Sequence, residues 1–348
     1  MKKVRVGIVG MGIGRPNAHA IEANQRGEVA ALCDLEMSRM DDFEKDLGHE
    51  VKKYTDFKEM CRDSELDAIF VGTPNQLHVP IGLEAIKNDK HVMITKPLAD
   101  SLQAAQKIVK AAEGAGVVNM MSLSTRFGPG CRYLGKQKEA GVFGDIYYAR
   151  ARSVRRSGIP AWNMGFLHAG GGAFRDMGVH VLDASWALLG FPKPVSVTGV
   201  AGAKFGPRGQ GYMNYEAIEK KIYTQYAADD YGGGFIRFEN GAGLQVESFW
   251  ACHNADEFQI ELFGTEGGAK LSPLTIYKTV DGAPVDSVVK LPQRVKNEDW
   301  QNIADHFIEC IADGKKCEAP LRHGMQVQEM MEALLKSGET SREVRLTK

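Results

Sequence analysis

Along residues 1–123, short uninterrupted apolar runs alternate with stretches whose apolar residues recur at helical spacing. The runs VRVGIVG, VAALCD, DAIFVGT, HVMIT and VNMMSLS are continuous rather than alternating, as strands covered on both faces should be. Helices are predicted between them, over 17–26, 38–47, 56–62, 78–88 and 100–115. Strand–helix alternation of this kind predicts an α/β unit on a doubly wound parallel sheet.

From residue 124 the pattern changes. DIYYARARSV, PVSVTGVAG, GGFIRFENGAGLQVESFW and DEFQIELFGTEGGAKLS read as strands, and Phe235, Arg237 and Glu239 alternate with Ile236 and Phe238. That period of two suits an antiparallel sheet with one face covered. Asn240–Gly241 suits a tight hairpin turn. Helices over 172–190, 298–313 and 322–337, with TSREVRL as a last short strand, complete an α+β domain over 124–348. Neither an internal repeat nor a low-complexity linker interrupts the chain.

Charge narrows the function. The 43 Lys and Arg stand against 44 Asp and Glu, a formal net charge of −1, so there is no global case for nucleic acid or an acidic membrane surface. The apolar run of MKKVRVGIVG is too short for a secretory h-region, and no stretch reaches the roughly 18 apolar residues of a membrane span. Cys33, Cys61, Cys131, Cys252, Cys310 and Cys317 form no CxxC pair, and no cysteine–histidine cluster has zinc spacing. The expectation is buried thiols in a reducing cytosol, no metal and a cytoplasmic location.

VRVGIVGMGIGRPNAHA is a strand, a glycine turn and a helical run. Gly10 and Gly12 supply the first two glycines of a G-x-G-x-x-G fingerprint; Arg15 stands at the third position and Gly14 comes one residue early. The first two glycines permit a tight turn and let the backbone approach a pyrophosphate at a helix N-terminus. Ile13 and Gly14 complete the turn, and Arg15 is either a phosphate contact or a solvent-facing cation. Asp34 ends the second strand 24 residues beyond Gly10, near the roughly 20-residue offset of an acid that binds a ribose diol. Its other reading is a cap for the next helix. Glu36 adds negative charge where a 2′-phosphate would sit, which favours NAD over NADP, while Arg39 opposes that preference. Thr73, Pro74, Asn75 and His78, at the end of strand DAIFVGT, are further candidate nucleotide contacts, although GTPN is equally a good turn and helix start.

Two more stretches carry a resemblance: VGTPNQLHVPIGLEAIKNDKHVMITKPLADSLQAAQKIV (71–109) and GGGAFRDMGVHVLDASWALLG (170–190). With the glycine turn, they make the chain similar, over nearly its whole length, to the Gfo/Idh/MocA family of oxidoreductases. The resemblance implies an N-terminal Rossmann domain and a C-terminal domain on an open, mainly antiparallel sheet. It also implies NAD(H) or NADP(H) chemistry on sugars and polyols, in homodimers or homotetramers formed through the open sheet face. The family's Glu-Lys-Pro stands here as Thr95–Lys96–Pro97. Lys96 is therefore implied as the catalytic-site lysine, with Thr95 and Pro97 beside the cofactor and a cis Lys96–Pro97 bond. Thr95 removes a carboxylate that could orient the lysine. Gly170, Gly171, Gly172, Asp176, Gly178, His180 and Asp183 match the family's second motif, and RRSGIPAWN (155–163) resembles members acting on sugars or anhydrosugars.

Oxidising a secondary alcohol requires departure of hydride to a nicotinamide and removal of the hydroxyl proton by a base. Histidine is the side chain that ordinarily titrates near neutrality, so His180 is the candidate base. Lys96, at the end of HVMIT where α/β sheets bind ligands, would stabilise developing alkoxide charge. Asp176, four residues before His180, shares its helix face and holds either a substrate hydroxyl or one tautomer of His180. Asp183 is read as structural. Taken singly, such a histidine is more often a packed core residue, and Lys96 a surface lysine before a helix. Candidate substrate contacts are Arg126, Arg156, Trp162, Asn163 and His168; Trp162 either stacks on a sugar or packs in a core. Trp250 and His253 receive no role.

The leading expectation is an NAD-dependent dehydrogenase of a sugar, cyclitol or sugar derivative. Two others stay open. One is an enzyme that oxidises a sugar, cleaves or epimerises it, and reduces it again with retained NAD. The other is a module that senses NAD or sugar without chemistry, against which the presence of both Lys96 and His180 argues.

Overall fold

The computed structural model describes residues 3–162, 164–168, 170–292 and 296–346, and element counts refer to these residues. The chain begins β1 (Val4–Val9), α1 (Gly14–Glu22), β2 (Gly27–Cys33), α2 (Met37–Leu47), β3 (Lys52–Tyr54), α3 (Phe57–Arg62), β4 (Ala68–Val71), α4 (Asn75–Lys87), β5 (His91–Thr95), α5 (Leu102–Ala115), β6 (Asn119–Ser122) and α6 (Ser124–Phe127). It continues α7 (Pro129–Glu139), β7 (Ile146–Val154), α8 (Val179–Leu188), β8 (Pro194–Gly202), α9 (Lys220–Tyr223), β9 (Tyr231–Phe238), β10 (Gly243–Phe249), β11 (Glu257–Gly264), β12 (Gly268–Lys270), β13 (Thr275–Val280) and β14 (Ala283–Val288). It closes with α10 (Glu298–Asp313), α11 (Leu321–Thr340) and β15 (Val344–Arg345).

The first six strands pair in the order β3-β2-β1-β4-β5-β6, all parallel. Helices cover both faces, which is why Val6, Ile8, Leu32, Phe70 and Met93 are fully buried and their strands read as unbroken apolar runs. Strand order reverses between β1 and β4, and a ligand crevice forms at the C-terminal ends of such strands. Local chemistry sets the helix ends. Asp56 accepts the Lys58 N–H at the start of α3, Ser101 accepts that of Ala104 at α5, and α2 and α5 stop at left-handed Gly48 and Gly116. The apolar pattern does not predict β3, a three-residue edge strand of sequence KKY.

Packing divides the chain into two compact units. Residues 1–127 group with α10 and with α11 through Gln328; the rest, from Gly128, groups with α11 from Glu329. The division expected at 123/124 therefore does not separate the units, because part of the C-terminal region belongs to the first. The cause is the apolar face of α10. Ile303, Ala304, Phe307 and Ile308 are buried in one core with Ala18 and Ile21 of α1 and with Val4. Polar contacts fix the same arrangement: Gln301 donates to the Ala20 carbonyl at 3.0 Å, Asn24 donates to Asp305 at 2.7 Å, and Arg26 grips both oxygens of Asp313 at 2.7 and 2.9 Å.

The second unit holds a sheet of order β14-β13-β12-β11-β7-β10-β9-β8-β15. Its neighbours are antiparallel except β7 and β10. The pleat sorts its faces. Ala149, Ala151, Leu244, Val246, Ile260 and Leu262 are buried on one side. On the other, Arg150 pairs with Glu261 at 3.0 Å and Arg152 with Glu257 at 2.9 Å across the β7–β11 ladder. Between β9 and β10, Gly241 takes a φ of +85° and donates to the Phe238 carbonyl at 3.1 Å, closing the turn that Asn240–Gly241 predicts. The β13–β14 hairpin escapes the pattern because all six residues of β14 are exposed. Among the described residues, no helix is long and apolar enough to cross a membrane.

Candidate active site

Within the first unit the glycine turn leaves β1 with Gly10 at a φ of +90°. A Cβ there would stand 2.5 Å from the Gly72 carbonyl oxygen, so two turns cross with no room for a side chain. Gly12 is of the opposite kind: a Cβ would meet nothing within 4 Å. The protein's own packing does not require that glycine, and the open space above the start of α1 suits a pyrophosphate drawn against the backbone. Gly14 supplies the close helix–strand approach of the displaced third glycine, since its Cβ would lie 2.9 Å from Ile8 Cγ2. Beside it Ile13 is 38% exposed. Asp34 is half-buried; Oδ2 accepts the Met11 N–H at 2.8 Å and Oδ1 accepts that of Glu36 at 3.1 Å. It is not the cap of α2, whose N-cap is Glu36. Its carboxylate ties β2 to the glycine turn and keeps acceptor capacity for a diol.

Thr73 Oγ1 is buried without a hydrogen-bond partner among the described residues. Pro74 is the N-cap of α4 and Asn75 opens it. Thr95 is buried at the end of β5, Lys96 is half-buried, and the Lys96–Pro97 peptide is cis. His78 links these turns. Fully buried, it sets Nδ1 at 2.8 Å from the Pro97 carbonyl and Nε2 at 2.7 Å from that of Thr73. Burial pushes its imidazole below the ordinary histidine range. His78 thus holds the turns bearing Thr73 and Lys96 and offers no surface of its own to a nucleotide. Arg15 also differs from its phosphate-contact reading. Its guanidinium donates to the Arg39 carbonyl at 3.1 Å and lies 5.3 Å over the Phe43 ring, because α2 packs beside α1. Arg126 donates to the Glu318 carbonyl at 2.9 Å and faces His323 Nδ1 at 3.3 Å, which ties it to the segment before α11.

Asp176 and His180 lie in the second unit, where a π turn (Phe174–Gly178) runs directly into α8. Such one-turn expansions are frequent at functional sites. The glycines before it are demanded by space. A Cβ on Gly171 would overlap the Phe166 carbonyl, and one on Gly172, at a φ of +109°, would overlap the Asp229 carboxylate. Asp229 anchors the helix start: its carbonyl accepts the Ala173 N–H at 3.0 Å and its Oδ2 that of Phe174 at 3.0 Å. Burial pushes its carboxyl up to about 6, partly offset by the Phe174 N–H and the Arg175 cation. Val179, Val181, Leu182 and Asp183 are buried, whereas Asp176 and His180 are only half-buried. Trp250, to which the sequence assigns no role, is fully buried and donates from Nε1 to Asp176 Oδ2 at 3.1 Å. It fixes the direction of that carboxylate. Trp162 is 67% exposed, at a pocket lined also by Ile159, Ala161, Met213, Asn214 and Glu216, so it is no core residue. Arg156 and His168 are exposed, and Asn163 lies outside the described residues. One further group is not marked by ligand spacing. A turn after α10 brings ligand atoms of His306, Cys310 and Cys317 within 4.8 Å of one another.

Residues 4–123 match the oxidoreductase family with an NAD-binding Rossmann fold, and residues 132–270 match the GFO/IDH/MocA C-terminal domain. The chain belongs to the Gfo/Idh/MocA family of oxidoreductases. It is similar to D-glucoside 3-dehydrogenase of Escherichia coli, with 29% identity over 99% of this chain and 97% of that protein. It is also similar to scyllo-inositol 2-dehydrogenase (NAD(+)) of Bacillus subtilis, with 24% identity over 90% and 87%. A levoglucosan dehydrogenase solved in complex with NADH and levoglucosan has the same fold, with a TM-score of 0.85 at 20% identity and full coverage of both chains. This family member is an NAD(P)-dependent dehydrogenase. The open space at Gly12 and the Thr73 hydroxyl, without a hydrogen-bond partner among the described residues, fit a dinucleotide along the strand ends of the first unit.

Proposed function

We propose that this chain oxidises a secondary hydroxyl of a sugar, cyclitol or sugar derivative with NAD, using His180 as general base and Lys96 to stabilise the alkoxide. The observation that carries the proposal is the half-buried Asp176–His180 pair on the π-turned helix, its carboxylate held by buried Trp250. The dinucleotide, when bound, supplies the hydride acceptor. Gly10, Gly12 and Asp34 would hold its pyrophosphate and adenine ribose, and Thr73 and Lys96 its nicotinamide half. His180 removes the hydroxyl proton. Lys96 stabilises the negative charge that builds on the oxygen. Asp176 orients a second hydroxyl or one tautomer of His180. The carbon loses a hydride and the oxygen a proton, leaving a ketone.

The names of the two curated relatives support a cyclic polyol substrate. Exposed Trp162 offers a ring face on which a sugar can stack. Glu36 supports NAD over NADP by pairing with Arg39 at 2.8 Å, which withdraws that cation from a 2′-phosphate. Homo-oligomerisation through the open sheet face belongs to the same proposal. Its support is the aromatic row there, in which Tyr148 lies 5.9 Å from Phe235 and 5.6 Å from Phe263.

The test combines NAD with a panel of sugars and cyclitols and follows the reduced-nicotinamide absorbance. His180→Ala should lose roughly 10²–10⁴-fold in turnover while retaining NAD affinity. Equal activity in that variant would put the base elsewhere, and absence of both cofactor binding and turnover across a broad panel would end the proposal.

A further inference from the structure

We propose that His306, Cys310 and Cys317 form a binding site for a thiophilic divalent metal ion, of the chemical type of zinc, at the C-terminal end of α10. The site is separate from the residues assigned to dehydrogenation. His306 and Cys310 stand four residues apart on one face of α10, each only 2% exposed. The helix stops at Gly314, whose φ of +66° turns the chain back. That turn carries Cys317 to the other two, so that one ligand atom from each lies within 4.8 Å of the others.

The donor set and its spacing suit such an ion. Thiolate and imidazole are the preferred ligands of zinc. Cys310 Sγ lies 3.5 Å from His306 Nε2. Tetrahedral bonds of about 2.3 Å to sulfur and about 2.0 Å to nitrogen give an S···N edge of about 3.5 Å. His306 Nε2 accepts the Glu318 N–H at 2.8 Å, so the ring carries its hydrogen on Nδ1 and keeps its lone pair on the side of the sulfurs. Coordination would exchange that one backbone bond for a metal bond. Nδ1 is buried without a hydrogen-bond partner among the described residues and lies 3.7 Å from Glu318 Oε1. A carboxylate in that position orients a ligating imidazole. Two thiolates and a neutral imidazole balance a divalent charge. A water molecule would complete four-coordination. The ion would fasten α10 to the segment that reaches β6, where Met121 donates to the Ala319 carbonyl at 2.9 Å.

The test uses the full chain, stripped of metal under reducing conditions and titrated with cobalt(II) as a spectroscopic probe. We expect about one equivalent to bind, with thiolate-to-metal charge-transfer bands and tetrahedral d–d bands that added zinc abolishes. Cys310→Ser and Cys317→Ser should each remove the charge-transfer intensity in proportion and weaken binding by more than about tenfold. X-ray absorption at the zinc edge keeps the test independent of variant folding. Wild-type protein should show two sulfurs at about 2.3 Å and one nitrogen at about 2.0 Å. Absence of stoichiometric cobalt binding, a zinc spectrum of oxygen and nitrogen ligands alone, or cobalt bands unchanged by folded Cys310→Ser would each overturn the proposal.

Discussion

Asp229→Asn isolates the electrostatic cost of the group that anchors the π-turned helix. Asn is nearly isosteric and still offers an oxygen to the Phe174 N–H, held at 3.0 Å in the wild-type chain. It removes the ionisation. In the folded chain, burial raises the Asp229 carboxyl from 3.8 to about 6, so the native state holds its proton over a range where the unfolded chain has released it. A raised acid contributes stability that is fully present below 3.8 and is lost as pH rises through about 6. At about 1.4 kcal/mol per pH unit, the full loss is at most about 3 kcal/mol. Between about pH 5 and about pH 7.5 the same relation gives a loss of about 1.4 kcal/mol, roughly 3 °C in Tm for a unit of this size. The assay is thermal unfolding of wild type and variant at both pH values. The variant should gain on the wild type by that amount at the higher pH. A gap between the two proteins that stays constant with pH, or that moves the other way, would refute the assignment of a raised carboxyl at this position.

Two glycines of one turn should part company. Gly10→Ala forces a side chain against the Gly72 carbonyl at a φ of +90° and should lower Tm by an amount equivalent to about 2 kcal/mol or more. Gly12→Ala should leave Tm nearly unchanged yet weaken NAD in a binding titration, because its Cβ enters space the protein leaves open. Trp250→Phe keeps an aromatic ring, although a smaller one, and deletes the Nε1 donor to Asp176; kcat should fall by roughly tenfold or more in the folded variant, and an unchanged kcat would detach that carboxylate from the chemistry. Asp34→Ala should raise the KM for NAD by about tenfold or more and that for NADP by much less, and equal effects would remove the ribose assignment.

What the sequence made legible follows the range of each interaction. Strands covered on both faces leave continuous apolar runs, so the parallel sheet is visible in residues such as Val6, Ile8 and Phe70. Gly10, Gly12 and Asp34 belong to one βαβ segment, and Asp176 and His180 to one helical run, so their grouping is local. The Trp250–Asp176 bond joins positions 74 apart, and no periodicity connects them. His78 was indistinguishable from a surface contact because its two carbonyl partners depend on how the turns after β4 and β5 approach each other. The amphipathic face of α10 was apparent from its spacing, but amphipathicity names no partner, and that partner is a helix near the start of the chain. The cysteine at position 317 joins His306 and Cys310 through the Gly314 turn, a three-dimensional event that ligand spacing does not record.

The placement of α10 has a consequence for biosynthesis. Its Phe307 face closes the core around Ile21, so the nucleotide-binding unit is incomplete until translation has passed Gln328. A nascent chain stopped after β6 would present an apolar groove along α1 with nothing to fill it. Truncation near residue 123 should therefore yield an aggregation-prone fragment, and the two halves of this enzyme cannot be produced separately by a single cut.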